Sequence, residues 1–514
     1  ERTLFGEYLK TYQGAIDAGA MSTMSSFNCL NGEPVSGSYH YLTEVLRQRM
    51  GFEGFVVSDY NAIMELKNHR TAANDKDAAH IGILAGNDMD MTSGVYLRHL
   101  EELVKEDPRV MEKIDESVTR ILSVKYALGL FEHPYRTGEE ERELMQTPAS
   151  LALARKAAAQ SAVLLKNEDN TLPLKRGKTY FVTGPLADTR EDNLGMWCTC
   201  GDAGDVVTPL EALKAQPGIE ITFAHGCDYE GYDTKGFAEA VEKAKNADEI
   251  LFFGGETRDW TGENHNKTHI TIPDVQLMLL RELKKLGKKI IFVLMTGRPL
   301  AALEMDQLSD AVLCVWHAGH QAGNGICDVL FGDTAPCGKL PFTFPVRLED
   351  NGAHALGEYP GADKVKYNES IFVGYRWHDK EQLKPLFAFG HGLSYTAFAV
   401  GNVKADRTTL APNGSIRISA DVTNTGDRAG AEVVQLYIGD EQSSLPRPVK
   451  ELKGFQKVSL NPGQTQTVTF EITPGMLQYY DDAKGAWVAE PGAFTAYVGA
   501  ASDDIRGTVE FELK

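Results

Sequence analysis

Gly51-Phe-Glu-Gly-Phe-Val-Val-Ser-Asp59-Tyr60 is the stretch on which the reading of the fold turns. From Gly54 it runs through three consecutive apolar residues and stops abruptly at Ser58 and Asp59, the pattern of a short parallel strand buried on both faces. Two flanking segments, Met21 to Asn28 and Gly86 to Met91, read the same way. Amphipathic helices lie between and after them. Ile114, Val118, Ile121 and Leu122 recur at helical spacing, and Gly129 closes that helix after Lys125. Residues 1–131 are therefore read as three β/α units.

Further along, the alternation continues in a second block. His133 to Pro148 is acidic and turn-rich, which predicts a linker over 136–160, with a helix opening at about Pro148. Ser161 to Leu165, Tyr180 to Thr183, Ile219 to Phe223, Glu249 to Phe253, Lys289 to Met295 and Ala311 to Val315 are strand candidates. Helical stretches such as 274–286 separate them, so 161–345 is expected to be a largely parallel sheet covered by helices. A Gly- and aromatic-rich connector spans 346–397. From 398 to 514 the period becomes two: Ile416, Ile418, Ala420 and Val422 alternate with polar residues, as do Val468, Phe470 and Ile472. Strands broken by Asn-Gly, Thr-Gly and Pro-Gly turns predict an antiparallel sandwich.

Composition bounds what such a chain does. At 514 residues, about three domains are expected. A net charge of -20 argues against nucleic acid, which calls for a basic face. No apolar stretch approaches the roughly 18 residues of a membrane span. The chain opens Glu1-Arg2 without Met, so the lack of a signal peptide says nothing about secretion. Seven scattered cysteines form no disulfide framework, and Cys198-Thr-Cys200 is too tight for a redox or zinc knuckle; they are read mostly as small buried hydrophobes.

Two segments nominate carboxylates for chemistry. Asp59 ends a strand, where barrel folds place catalysis, although on spacing alone a helix N-cap is the preferred reading. Gly255-Glu256-Thr-Arg-Asp-Trp-Thr-Gly-Glu263-Asn-His-Asn-Lys-Thr268 is a long polar loop after an apolar strand, with two glutamates, a Trp and a His; a solvated loop is the equal alternative. Spacing does not pair these carboxylates. His317-Ala-Gly-His320 has metal-like spacing but no carboxylate beside it, so core or loop histidines are the better reading. Asp88 and Asp90 alternate on a strand and face opposite sides, so they do not chelate one ion. Gly297-Arg298-Pro299 lacks the spacing of a dinucleotide turn, and Arg298 is expected to brace strand ends or a domain interface. No metal or cofactor is expected.

Taken together, the motifs resemble glycoside hydrolase family 3, particularly its bacterial periplasmic-type β-glucosidase branch. Ser25-Ser-Phe-Asn28 with Asn31-Gly-Glu-Pro34 resembles the family's SYN…NG.P segment, with Phe27 where Tyr is usual. Gly51 to Asp59 matches the nucleophile motif, and Ala85-Gly-Asn-Asp-Met-Asp-Met91 the AG.DMDM strand. Ser161 to Leu174, Thr296-Gly-Arg-Pro-Leu300, Asp328-Val-Leu-Phe-Gly-Asp333, Gly338 to Pro345, Gly374-Tyr-Arg376, Phe389 to Tyr395 and Arg447 to Phe455 follow in family order. The resemblance implies the C-terminal part of a (β/α)8 barrel over 1–135, then an α/β sandwich domain, then a fibronectin-III-like β-sandwich. It also implies a retaining, exo-acting β-glycosidase that releases terminal β-D-glucosyl residues through a covalent glycosyl-enzyme intermediate. Asp59 falls on the nucleophile and Glu263 on the acid/base, in a loop reaching over the barrel mouth; Glu256 is the alternative acid. Trp260, Tyr60, Met24 and Ser26 are the expected sugar-binding residues, Trp260 as a stacking platform or simply a packed ring.

The sequence departs from the family at its front. Residues before the SYN segment usually supply about five strands of the eight-stranded barrel and several glycone contacts. A second polypeptide supplying those strands is therefore expected as a partner, beside the β-glucoside or oligosaccharide substrate. A β-xylosidase and a catalytically silent carbohydrate-binding or scaffolding remnant stay open as alternatives, as does homo-oligomerisation. By resemblance the protein is periplasmic or secreted, with a cytoplasmic location still open.

Overall fold

A computed structural model describes residues 1–135, 145–361 and 365–514. It divides into two compact units, Glu1–Leu144 and Met145–Lys514.

In the first unit, Ser22–Ser25 and Phe55–Ser58 pair as parallel strands, with Ser22 opposite Phe55 and Ser25 opposite Ser58. The third expected strand is reduced to a single parallel bridge between Val57 and Met89. The reason is local. Asp88 N and Met89 N both donate to Val56 O, at 2.9 and 3.0 Å. The Asp88 side chain also occupies Val56 N at 2.7 Å, where a further ladder partner would sit. That carboxylate is buried and receives Arg47 Nη2 at 2.5 Å, Ser117 Oγ at 2.8 Å and Arg120 Nη1 at 2.8 Å. Asp90 instead accepts from Ser93 Oγ at 2.6 Å, so the two aspartates do face different neighbours.

Helices Asp75–Ala85, Val95–Glu106 and Pro108–Ala127 pack around Ile63, Leu66, Ala79, Ile83, Val95 and Leu103. Their ends are written in the sequence. Asn74 caps the first helix by accepting from Asp77 N, and Gly86 ends it at φ +109°, a left-handed turn that favours glycine. Asp107 caps the third, with Pro108 in its first turn. Met111, Val118, Leu122 and Tyr126 lie exposed along one side of Pro108–Ala127.

The second unit begins with helix Pro148–Ser161, so the expected linker is helical over most of its second half; its residues 136–144 lie outside the described residues. A six-stranded sheet follows, in the order Val163–Asn167, Ala311–Cys314, Lys289–Met295, Glu249–Gly255, Thr179–Thr183, Glu220–Phe223. All neighbours are parallel except the first pair. The two central strands are buried on both faces. Ile250, Phe252, Ile290 and Phe292 enter one core, while Leu251, Phe253, Ile291 and Val293 enter the other. Each such side chain contributes about 1.5–3 kcal/mol by leaving water, which is why the strands are nearly all apolar.

The connector, whose residues 362–364 lie outside the described residues, contains helix Tyr375–Glu381. It ties the α/β layer to the C-terminal sandwich: Leu393 N donates to Leu164 O at 2.8 Å, Tyr375 Oη accepts from Leu452 N at 2.9 Å, and Gln435 Nε2 donates to Gly390 O at 3.1 Å. The sandwich itself has sheets of three and five strands. The expected alternation holds over Ile416–Asn424, where Ile416, Ile418, Ala420 and Val422 are all buried. Among the described residues no helix is long and apolar enough to cross a membrane.

Candidate active site

Alternation along Phe55–Ser58 buries Val56 and Ser58 completely and leaves Phe55 and Val57 on the other face. Asp59 continues that second set. It is half-buried, and its backbone N donates to Ser25 O at 3.2 Å, extending the parallel pairing. Asp59 Oδ1 accepts from Tyr60 N at 2.7 Å; Oδ2 has no partner among the described residues. Asn61, at φ +63°, turns the chain away, and its N reaches Met91 O at 3.0 Å. The Ser58 hydroxyl accepts from Met91 N at 2.9 Å, so both strand ends and the Met89–Met91 segment are fixed around Asp59.

Three of the other expected residues sit on the same edge. Met24 pairs in register with Val57, which places Ser26 level with Asp59. Met24 and Tyr60 are exposed, at 46% and 60%. Ser26 is half-buried, and its carbonyl accepts from Ser36 Oγ at 2.9 Å. The strand ends thus gather Met24, Ser26, Asp59 and Tyr60 within the first unit.

In the second unit the loop after Glu249–Gly255 separates its two glutamates sharply. Glu256 is completely buried. Its Oε1 accepts from Lys267 Nζ at 2.7 Å, its Oε2 accepts from Thr296 Oγ1 at 2.8 Å, and Arg298 Nε lies 3.3 Å away. Both of its oxygens are thus taken up by partners within the domain, and neither is left to face a substrate. Glu263 is exposed and has no hydrogen-bond partner among the described residues. Trp260 is half-buried, with Lys267 Nζ 4.1 Å from its ring centroid, so a cation already covers one face of the expected stacking platform. Its carbonyl accepts from Arg298 Nη2. Arg298 thus braces this loop within a domain.

Asp192 holds the other root of the loop, a role that sequence reasoning missed. It is buried and accepts from Thr257 Oγ1 at 2.6 Å, Arg258 N at 2.8 Å, Thr189 Oγ1 at 2.5 Å and Tyr229 Oη at 2.8 Å. Burial disfavours its charge, yet these hydrogen bonds outweigh burial and hold the carboxyl below its ordinary range. The only sequence signal was an acidic residue at the start of a short helix. His317 is half-buried with Nδ1 2.7 Å from Asp192 O, and desolvation keeps its imidazole below the ordinary value. No group of His, Cys, Asp or Glu suited to a metal occurs among the described residues. Cys227, Cys314, Cys327 and Cys337 are buried, whereas Cys29 and Cys200 are exposed and Cys198 lies between; all seven are free.

Comparison with known proteins covers all of these elements. Residues 1–124 match the Glycosyl hydrolase family 3 N terminal domain, 162–395 the Glycosyl hydrolase family 3 C-terminal domain, and 432–502 the Fibronectin type III-like domain. A periplasmic beta-glucosidase of Salmonella typhimurium is 38% identical, the match covering 98% of this chain and 69% of that protein. A beta-xylosidase of Formosa agariphila is 36% identical, over 100% of this chain and 72% of its own. The crystal structure of a beta-glucosidase from Listeria innocua superposes with a TM-score of 0.89 at 32% identity, covering 100% of this chain and 70% of that one. With its barrel strands, α/β sandwich and fibronectin-like sandwich in family order, the chain belongs to glycosyl hydrolase family 3.

Proposed function

We propose that the protein is an exo-acting, retaining β-glucosidase in which Asp59 is the nucleophile and Glu263 the general acid/base. The observation that carries this reading is the contrast between three carboxyl groups. Asp59 presents an unpartnered oxygen at the ends of the strands, Glu263 is unpartnered on its loop, and Glu256 is consumed by Lys267, Thr296 and Arg298. In a retaining hydrolase one ionised carboxylate attacks the anomeric carbon and forms a glycosyl ester while a protonated one delivers its proton to the leaving oxygen. The second group then takes a proton from water, which cleaves the ester and releases the sugar with its β configuration restored. Tyr60, Met24 and Ser26 flank Asp59 as glycone contacts, and Trp260 offers the ring face not covered by Lys267.

Glucose is the favoured glycone, because the most similar relatives include glucosidases at 38% and 35% identity. The 36% identity to a beta-xylosidase supports xylose as the second reading. The proposal includes a further polypeptide segment that completes the barrel, supported by the exposed apolar side of helix Pro108–Ala127. A 2-deoxy-2-fluoroglucoside with a good leaving group tests the core of the proposal. In the active enzyme the trapped sugar is expected on the peptide containing Asp59, and a label elsewhere rejects that assignment. Parallel kcat/KM values on aryl β-glucoside and β-xyloside decide the glycone.

A further inference from the structure

The segment between Thr257 and Thr268 has one short helical turn, Arg258–Trp260, and no other regular structure. Each residue of such a loop costs about 1–2 kcal/mol of backbone entropy to fix. Besides Arg298 on the Trp260 carbonyl and the Tyr359 hydroxyl on Asn266 Oδ1 at 2.9 Å, this one is fixed at its two roots. At the first, buried Asp192 binds Thr257 Oγ1 and Arg258 N. At the second, Lys267 reaches back to Glu256, with Nζ 2.7 Å from Oε1 and 4.1 Å from the Trp260 ring centroid. Between the roots, Gly262 at φ +103° passes so close to Met196 that a Cβ would lie 2.5 Å from its sulfur. Glu263 follows directly and makes no hydrogen bond among the described residues.

We infer that Lys267 is a positioning residue: its ion pair with buried Glu256 and its contact with the Trp260 ring latch the loop so that Glu263 is held where it serves as acid/base. The inference rests on the assignment of Glu263 above. Three features support a latch over simple neutralisation of Glu256. Thr296 already donates to Glu256 Oε2, with the Arg298 guanidinium 3.3 Å away, without Lys267. Lys267 spends its ammonium on two groups from the start of its own loop, closing a ring between residues 11 positions apart, Glu256 and Lys267. The pair is also well shielded, Glu256 fully and Lys267 to 20% exposure, where attraction is several-fold stronger than at the surface. A displacement of about 1 Å in a proton donor is enough to cost about 100-fold in rate.

The test compares Lys267→Met, Lys267→Arg and Glu263→Gln in the active enzyme, using kcat/KM on cellobiose and on 2,4-dinitrophenyl β-glucoside. The second substrate has a leaving group that needs no proton. Lys267→Met is expected to lose about 10- to 100-fold on cellobiose and less than about 3-fold on the dinitrophenyl glucoside, with Lys267→Arg restoring cellobiose activity. Equal losses on both substrates overturn the inference, because they mark a general structural defect; so does full activity on both, or failure of Arg to rescue. Glu263→Gln separates the two levels of the argument. If it lacks the leaving-group split, the acid assignment fails and the latch falls with it. If it shows the split and Lys267→Met does not, the latch alone fails.

Discussion

A carboxylate makes a good nucleophile when its backbone is rigid and its attacking oxygen is unclaimed. Asp59 meets both conditions, with its own N tied to Ser25, the next residue's N on Oδ1, and Oδ2 open. Asp59→Ala is therefore expected to lower kcat by at least about 1000-fold with no loss of fold, and azide to recover part of that activity by replacing the missing carboxylate. A variant that azide leaves dead, with its fold intact, would count against the role. Glu256 is predicted to behave as a structural residue. Glu256→Gln leaves Lys267 and Arg298 without their shared buried anion, and a loss of about 3–5 kcal/mol is expected, readable as a lower denaturation midpoint. Glu263→Gln, at an exposed and unpartnered position, should stay within about 0.5 kcal/mol of the parent. At this scale the sequence supplied the right residue types, but spacing could not tell one glutamate of the loop from the other. Burial and partners distinguish them.

Elements were legible wherever one force dominated. Central strands Glu249–Gly255 and Lys289–Met295 are apolar on both sides because both sides are covered, and the sandwich strands alternate because one side is wet. The third barrel strand was over-read. Its apolar pattern is present, but Asp88 turns its side chain into the ladder, and one bridge remains. In the sandwich, strand Glu451–Leu460 begins with a buried ion cluster. Glu451 lies against Arg447, Lys453 and Arg376. Burial opposes its charge, but the cations prevail and draw its carboxyl from 4.5 down to about 2. A carboxyl depressed in the folded state stabilises that state fully above about pH 4.5, and the contribution disappears as pH falls through about 2. Arg447→Met is accordingly expected to cost a few kcal/mol at pH 7, with the deficit shrinking between about pH 4.5 and 2. Urea midpoints of parent and variant across that range check the sign; a deficit independent of pH would point to packing instead.

For the molecule as a whole, the stereochemistry of the product is the most direct readout. A double displacement through an ester predicts β-glucose as the first product, with α-glucose appearing only as mutarotation proceeds. Proton NMR of the anomeric signals in the first minutes distinguishes this from a single displacement, which releases α-glucose first. Family membership rests on the whole length: matches to residues 1–124, 162–395 and 432–502, and relatives aligned over 98–100% of the chain.

The sequence by itself determined the order of the three architectures, the family and the residues worth testing, because periodicity and motif order are properties of the chain read in line. It set helix limits at Asn74, Gly86, Asp107 and Pro108, where capping chemistry is local. Only the tertiary structure decided which side chains are used up holding the fold. Asp192 and Lys267 drew no notice in the sequence because their importance lies in partners 66 and 11 residues away. Glu256 and Glu263 are seven positions apart and the same residue type, yet the fold buries one among cations and leaves the other free. The cost of burying charge, which forces a buried carboxylate to find partners, is a property of three-dimensional surroundings and not of the order of residues.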